Sequence, residues 1–110
     1  MALLETRGRS TGSLTRATVG FVEEPDGSLL IAAGDPGADW ALNLLLDPRC
    51  RVTIGERTAT ASAVELDGPD RARAIRELIL KYGTPSERLG SGPAFRLVPF
   101  ATAGGAAGKG

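Results

Sequence analysis

Two tight-turn signals, each between short runs of apolar and β-branched residues, limit most strongly what this chain can fold into. Residues 24–27 place proline second and glycine fourth, the pattern of a four-residue turn. Residues 55–56 form a two-residue turn of the hairpin type. The runs beside these turns predict antiparallel strands over residues 17–22, 28–33, 50–54 and 57–66. Residues 93–99, with proline at both ends, predict a closing strand at a sheet edge.

Two short helices are predicted between these strands. Asp39 fits the N-cap of a helix over residues 40–46, and Asp47 ends it because the residue before a proline avoids the α conformation. Pro69 fits the first turn of a second helix, and Gly83 fits its C-terminal cap. The apolar stripe of this second helix consists of Ala72, Ile75, Leu78, Ile79 and Tyr82.

The order of these elements is strands, helix, strands, helix, strand, without regular β-α-β alternation. It therefore predicts a mainly β (α+β) fold, a small barrel of about six antiparallel strands with two short helices, rather than a doubly wound sheet. Residues 1–100 are predicted to form one domain, and residues 101–110 a flexible Ala/Gly tail.

Composition excludes several kinds of chemistry. The 110 residues include 13 basic and 13 acidic side chains, so the chain lacks the positive excess that duplex DNA binding needs. A module for single-stranded nucleic acid is also disfavoured, because the aromatic residues are only one Trp, one Tyr and three Phe. The chain has no histidine and a single cysteine, which exclude a histidine triad and a thiolate zinc site. We therefore expect no nucleic-acid partner and no metal.

The same counts bear on the compartment. One unpaired cysteine, Cys50, fits a reducing environment. The first residues resemble no signal peptide, and no apolar run reaches the roughly 20 residues of a transmembrane helix. We expect a cytoplasmic protein without a transmembrane segment. The sequence leaves open whether it is peripheral to a membrane and whether it forms a homodimer.

A basic loop over residues 7–16 is the first candidate site. Its three arginines alternate with glycines and hydroxyl residues, a donor set that suits phosphate or carboxylate groups. The plainer interpretation is that these arginines are solvated surface charges. The loop of residues 34–38 is a second candidate, and its plainer interpretation is an ordinary helix start. Trp40 is a third candidate, and its plainer interpretation is an ordinary core tryptophan.

No side chain is an evident general acid, base or nucleophile. If the protein is an enzyme, the composition favours a redox reaction in which a bound cofactor carries the chemistry and the protein binds and orients it.

Two ordered motifs carry a resemblance to a known family. Residues 8–16, followed by the strand ending at Phe21, resemble the G-R-x-[ST]-G-x-x-R opening of deazaflavin (F420)-dependent nitroreductases and quinone reductases. Residues 40–48 are similar to that family's W-x-x-N-L-x-x-[ND]-P helix. The resemblance covers about residues 3–100 and implies a split β-barrel. It also implies hydride transfer from F420H2 to a small electron acceptor, namely a quinone, a nitro compound or an activated alkene.

The resemblance also implies a set of site residues. The tail of F420 would be held by Arg9, Ser10, Thr11, Gly12 and Arg16. The deazaflavin ring would be lined by Thr18, Ala32, Ala33 and Gly34. Trp40 and Asn43 would brace the site, and Tyr82 would meet the substrate. FMN is not excluded as the cofactor, and the alternative function is a non-catalytic split-barrel module that binds a flavin-like, haem or lipid ligand.

Overall fold

The computed structural model describes residues 1–8, 13–83 and 92–101. For residues 100 and 101 it describes the backbone alone. Residues 9–12 of the basic loop, residues 84–91 and the predicted tail from residue 102 lie outside the described part. Four of the residues predicted to hold the tail of the cofactor, Arg9 to Gly12, therefore lie outside the described residues.

The described residues form seven strands and two helices. In chain order these are β1 (Ala2–Arg7), β2 (Leu14–Val19), β3 (Val22–Glu23), β4 (Leu29–Ala32), α1 (Asp39–Leu46), β5 (Arg49–Ile54), β6 (Arg57–Leu66), α2 (Gly68–Tyr82) and β7 (Ala94–Ala101). The strands make one sheet in the order β2-β1-β5-β6-β7-β4-β3, and all paired neighbours are antiparallel. The sheet curls into a half-barrel, which confirms the predicted mainly β split-barrel class.

Two ends of the half-barrel can be told apart by their connections. The turns at residues 24–27 and 55–56 lie at one end, which we call the hairpin end. The connections β1–β2, β4–α1, α1–β5 and β6–α2 lie at the other, which we call the loop end.

The core lies inside the half-barrel. Inward residues of four strands, among them Leu4, Ile31, Val52 and Phe95, pack with Ala41 of α1. Helix α2 covers the outer face of β4 and β7, where its Ala74 packs with the second buried cluster, Leu30, Leu66 and Ala94. The outer face of β2, β1, β5 and β6 carries the arginines described below.

Local signals predicted the turns and helix ends well. Gly27 and Gly83 have φ angles of +91° and +71°, conformations that glycine adopts without a steric penalty. Gly83 caps α2, and its N–H donates to the carbonyl of Ile79. The predicted N-cap at Asp39 is wrong, because Ala38 is the N-cap and Asp39 is the first helical residue. The predicted apolar stripe of α2 is wrong at Ala72 and at Tyr82, which are both exposed.

Long-range pairing differs from the prediction in two places. Residues 17–22 are not one strand beside residues 28–33, because β2 pairs with β1 and only Val22–Glu23 pair with β4. The predicted edge position of residues 93–99 is also wrong, since β7 lies between β6 and β4. Pro99 is tolerated there because the register with β6 shifts beside it, between Thr60 and Ala61.

Candidate functional site

A split runs between strand β2 and the end of strand β4. Strand β2 continues through Gly20 and Phe21 directly into β3, so the two sheet edges meet at the hairpin end. Among the described residues, β3 pairs with β4 only at Leu29 and Leu30, and toward the loop end the two edges are not joined by strand pairing. The split therefore opens toward the loop end. The predicted residues Arg16 and Thr18 lie on its β2 side, and Ala32, Ala33 and Gly34 lie on its β4 side.

The side of the split formed by β4 ends in a fixed backbone turn. The Ala33 N–H donates to the carbonyl of Pro93 at 2.9 Å. A Cβ atom on Gly92 would collide with the Ala33 carbonyl oxygen, so the two segments approach closely only because this residue is glycine. Beyond the exposed Gly34, the Asp35 carboxylate accepts from the Gly37 N–H at 2.8 Å. The chain therefore leads in a fixed path from the split to helix α1.

Helix α1 closes the interior of the loop end. Half-buried Trp40 packs against Phe95, with ring centroids 6.1 Å apart and planes tilted by 58°. The buried amide of Asn43 donates from Nδ2 to Thr6 Oγ1 of β1 at 3.0 Å. Asn43 therefore braces the helix that carries Trp40, and the role of these two residues beside a bound cofactor stays a prediction.

Tyr82 lies at the hairpin end, where the chain crosses from β2 to β3. The Phe21 N–H donates to the Tyr82 hydroxyl, and that hydroxyl donates to the Phe21 carbonyl, each at 3.1 Å. Lys81 Nζ donates to the same carbonyl at 2.7 Å and lies 4.0 Å from the Phe21 ring centroid. A Cβ on Gly20 would lie 3.0 Å from the Tyr82 ring. These contacts hold the crossing, and a contact of Tyr82 with substrate remains a prediction.

A group of four arginines lies on the outer face beside the split, and we call it the arginine face. Arg16 and Arg51 each place Nε 3.0 Å from a Glu5 carboxylate oxygen. Hydrogen bonding from Arg16 lowers the pKa of the Glu5 carboxyl, with the charge of Arg51 acting in the same direction and burial opposing both. Glu5 is thus ionised at neutral pH although its side chain is only 8% exposed.

The same face holds a second arginine pair. Arg7 and Arg49 place Nε 3.8 Å and 3.3 Å from the Asp47 carboxylate. The Arg49 hydrogen bond lowers the pKa of Asp47. Because each carboxylate is shared by two guanidinium groups, the four arginines exceed the two acids and leave a positive face. A depression of about 250 Å³ is lined by three of them, Arg7, Arg49 and Arg51.

Sequence reasoning missed Arg49 and Arg51. They alternate with inward Cys50 and Val52 on β5, and this spacing puts them on one sheet face. Nothing in the local sequence shows that β5 lies beside β1, so their closeness to Glu5 follows only from the strand order. The residues on either side of the basic loop also lie at the loop end, where the Gly8 N–H donates to the Ser13 carbonyl at 2.6 Å.

The chemistry available here is binding rather than covalent catalysis. Burial raises the pKa of the Cys50 thiol to about 11, so it is not a thiolate nucleophile at neutral pH. Among the described residues no group of His, Cys, Asp and Glu could hold a metal ion. In the same residues no helix is both long and apolar enough to cross a membrane. The site offers cations for an anionic group and small residues beside an open split.

Fold and site together define a small split-barrel protein with a positively charged face beside the split. Residues 1–88 match the sequence model of the F420H(2)-dependent quinone reductase family. The chain belongs to this family, whose cofactor is coenzyme F420.

Solved structures support the same fold. An F420-H2 dependent reductase, FDR-A, is 25% identical and superposes with a TM-score of 0.75, covering 87% of this chain and 91% of its own. HutZ, the heme storage protein from Vibrio cholerae, is 20% identical with a TM-score of 0.71, covering 91% of this chain and 81% of its own. A putative pyridoxamine 5'-phosphate oxidase from Listeria innocua is 16% identical with a TM-score of 0.68, covering 89% and 82%. No curated protein is close enough in sequence to count as a relative.

Proposed function

We propose that this protein transfers hydride from F420H2, held at the split, to a quinone, and that nitro compounds and activated alkenes are further acceptors. The observation that carries the proposal is the arginine face beside a split lined by small residues, in a chain of the F420H(2)-dependent quinone reductase family. Bound F420H2 would supply one hydride. With one proton from water, a quinone would then become a hydroquinone.

The residues fit the chemistry of this cofactor. F420 carries a phosphate and a tail of carboxylates on a planar ring. The Arg16 guanidinium is held at Nε by Glu5, and its side chain is 70% exposed, which leaves it available to an anion. The basic loop with Arg9, Ser10, Thr11 and Gly12 would extend this anion site. We assign the tail and phosphate to the loop end.

The ring would lie in the split. On the β4 side, Ala32, Ala33 and Gly34 offer little side-chain bulk, so a flat molecule could approach the backbone there. Thr18 would face it from β2, while Trp40, fixed through Asn43, would close the interior behind it. The protein thus would orient the ring and shield one of its faces from water.

A fluorescence titration tests binding. Adding the purified protein to F420 should quench the cofactor's fluorescence saturably, whereas FMN added in parallel should remain largely free after desalting. Arg16→Gln should weaken F420 binding about fivefold, the scale of one exposed ionic contact. Arg76→Gln is the matched control, because Arg76 is an exposed arginine on α2. No quenching at high micromolar cofactor would refute the proposal.

Turnover separates the proposal from its alternative. Steady oxidation of F420H2 by menadione would support a reductase. Saturable F420 binding without any turnover on quinone, nitro or alkene acceptors would instead favour the non-catalytic module, which carries a ligand without reducing it.

A further inference from the structure

A cavity of about 650 Å³ opens at the hairpin end of the half-barrel, where neither the family resemblance nor the arginine face places a ligand. This volume lies within the roughly 300–1,000 Å³ typical of small-molecule pockets. Its floor is apolar and comes from four strands of the sheet. The floor residues are Leu29, Val52, Ile54, Ala59 and Pro99.

The cavity exists because small residues face inward at this end. Strand β6 turns Ala59, Ala61 and Ala63 toward the interior. Toward the loop end, buried Phe95 and Leu97 of β7 fill the space beside them. Nearer the mouth, Pro99 of β7 faces inward opposite Ala61, and it lines the open apolar space together with Ala59.

One cation stands at the mouth of this apolar space. Arg57 pairs with Ile54 across the hairpin, so its side chain projects from the same sheet face as the floor. Among the described residues Arg57 forms no ion pair, in contrast to Arg16 and Arg51. The rim also carries the exposed carboxylates of Glu23 and Glu56.

We propose that this cavity binds a monocarboxylate amphiphile, such as a medium-chain fatty acid, with its hydrocarbon chain on the apolar floor and its carboxylate at Arg57. The apolar floor favours a hydrocarbon chain because its burial removes apolar surface from water. Arg57 is the cation that an anionic headgroup would contact at this rim. Because Glu23 and Glu56 also line the rim, a singly charged carboxylate is repelled there less than a doubly charged group such as phosphate would be.

This site is separate from the proposed cofactor site. The floor residues face the interior at the hairpin end, whereas the arginine face lies on the outer face of the sheet and residues 32–34 lie at the loop end. A ligand at the hairpin end therefore would not be the hydride acceptor, and the inference does not depend on the proposed function.

Isothermal titration calorimetry with decanoate and 1-decanol, both below their aggregation limits, tests the proposal. The wild-type protein should bind both at a single saturable site, and decanoate more tightly. Ala59→Leu should fill the floor and lower the affinity for both by about tenfold or more. Arg57→Gln should lower decanoate affinity about three- to fivefold and leave 1-decanol unchanged, as expected for one exposed ion pair.

Arg76→Gln is the control, since it removes an exposed arginine from α2 and should leave both affinities unchanged. A thermal melt confirms that each variant is folded. Arg57 is exposed, so its variant tests the headgroup even if Ala59→Leu fails to fold. Absence of saturable binding by the wild type, or decanoate binding that Arg57→Gln does not weaken, would overturn the proposal.

Discussion

The hydrogen bond between Asn43 and Thr6 should be the main polar attachment of helix α1 to the sheet. Both side chains are buried, with 2% and 0% of their residues exposed, and Nδ2 lies 3.0 Å from Oγ1. Removing one partner of a buried hydrogen bond leaves the other unsatisfied at a cost of about 1–3 kcal/mol. Asn43→Ala also deletes packed side-chain volume, so we expect a loss of about 3 kcal/mol in the free energy of unfolding.

A double-mutant cycle isolates the contribution of this pair. Thr6→Val keeps the shape of the side chain and should cost about 1–2 kcal/mol, because the Asn43 amide loses its acceptor. In the double variant both the donor and the acceptor are absent, so neither is left buried without its partner. The combined loss should therefore be smaller than the sum of the single losses by about 1 kcal/mol.

Urea unfolding followed by fluorescence suits the measurement, because Trp40 is the only tryptophan and lies on the same helix. Leu45→Ala is the control, since Leu45 is an exposed residue of α1 and its loss should change stability little. Strictly additive single and double losses would refute the argument that the two side chains stabilise each other. F420 affinity should fall in Asn43→Ala, because Trp40 would lose its fixed position.

Three further outcomes are expected. The lowered pKa of Glu5 adds stability that is complete above the ordinary pKa of 4.5 and is lost as the pH falls through the lower pKa of the folded state. Glu5→Gln should therefore reduce the loss of unfolding free energy at acid pH, as measured by unfolding at a series of pH values. An unchanged loss at acid pH would contradict this reasoning. The Cys50 thiol, whose pKa is raised to about 11, should resist iodoacetamide at pH 8 in native protein and react after unfolding; fast native labelling would count against its burial. Gly92→Ala should lower the melting temperature and reduce the free energy of unfolding by about 1–3 kcal/mol, because the new methyl group meets the Ala33 carbonyl. An unchanged melting temperature would show that the two segments can separate freely.

Features fixed by neighbouring residues were predictable from the sequence. The turn at residues 24–27 forms as expected, with the Gly27 N–H donating to the Glu24 carbonyl at 2.9 Å. The end of α1 before Pro48 and the glycine cap of α2 are likewise decided within a few residues. Local conformational preference is enough to place such features.

Features fixed by distant residues were not predictable. Strand β1 has no strong strand composition, and it is extended because β2 and β5 pair with it on both sides. The inner position of β7 depends on a register shift that no local signal announces. The same holds for the arginine face, since the residues it joins lie on three different strands.

The geometry of the split follows from how its two sides are held. Among the residues that the structure describes, strand pairing joins its sides only at the hairpin end, so the width of the split elsewhere depends on other contacts. At the hairpin end, Tyr82 fastens the Phe21 backbone to the end of α2. At the loop end, Asn43 fastens α1 to β1, and the Ala33 N–H fastens the end of β4 to β7. These three polar contacts therefore hold the two sides of the split in position. A cofactor that enters between them would meet a site whose shape depends on these individual hydrogen bonds and not on strand pairing.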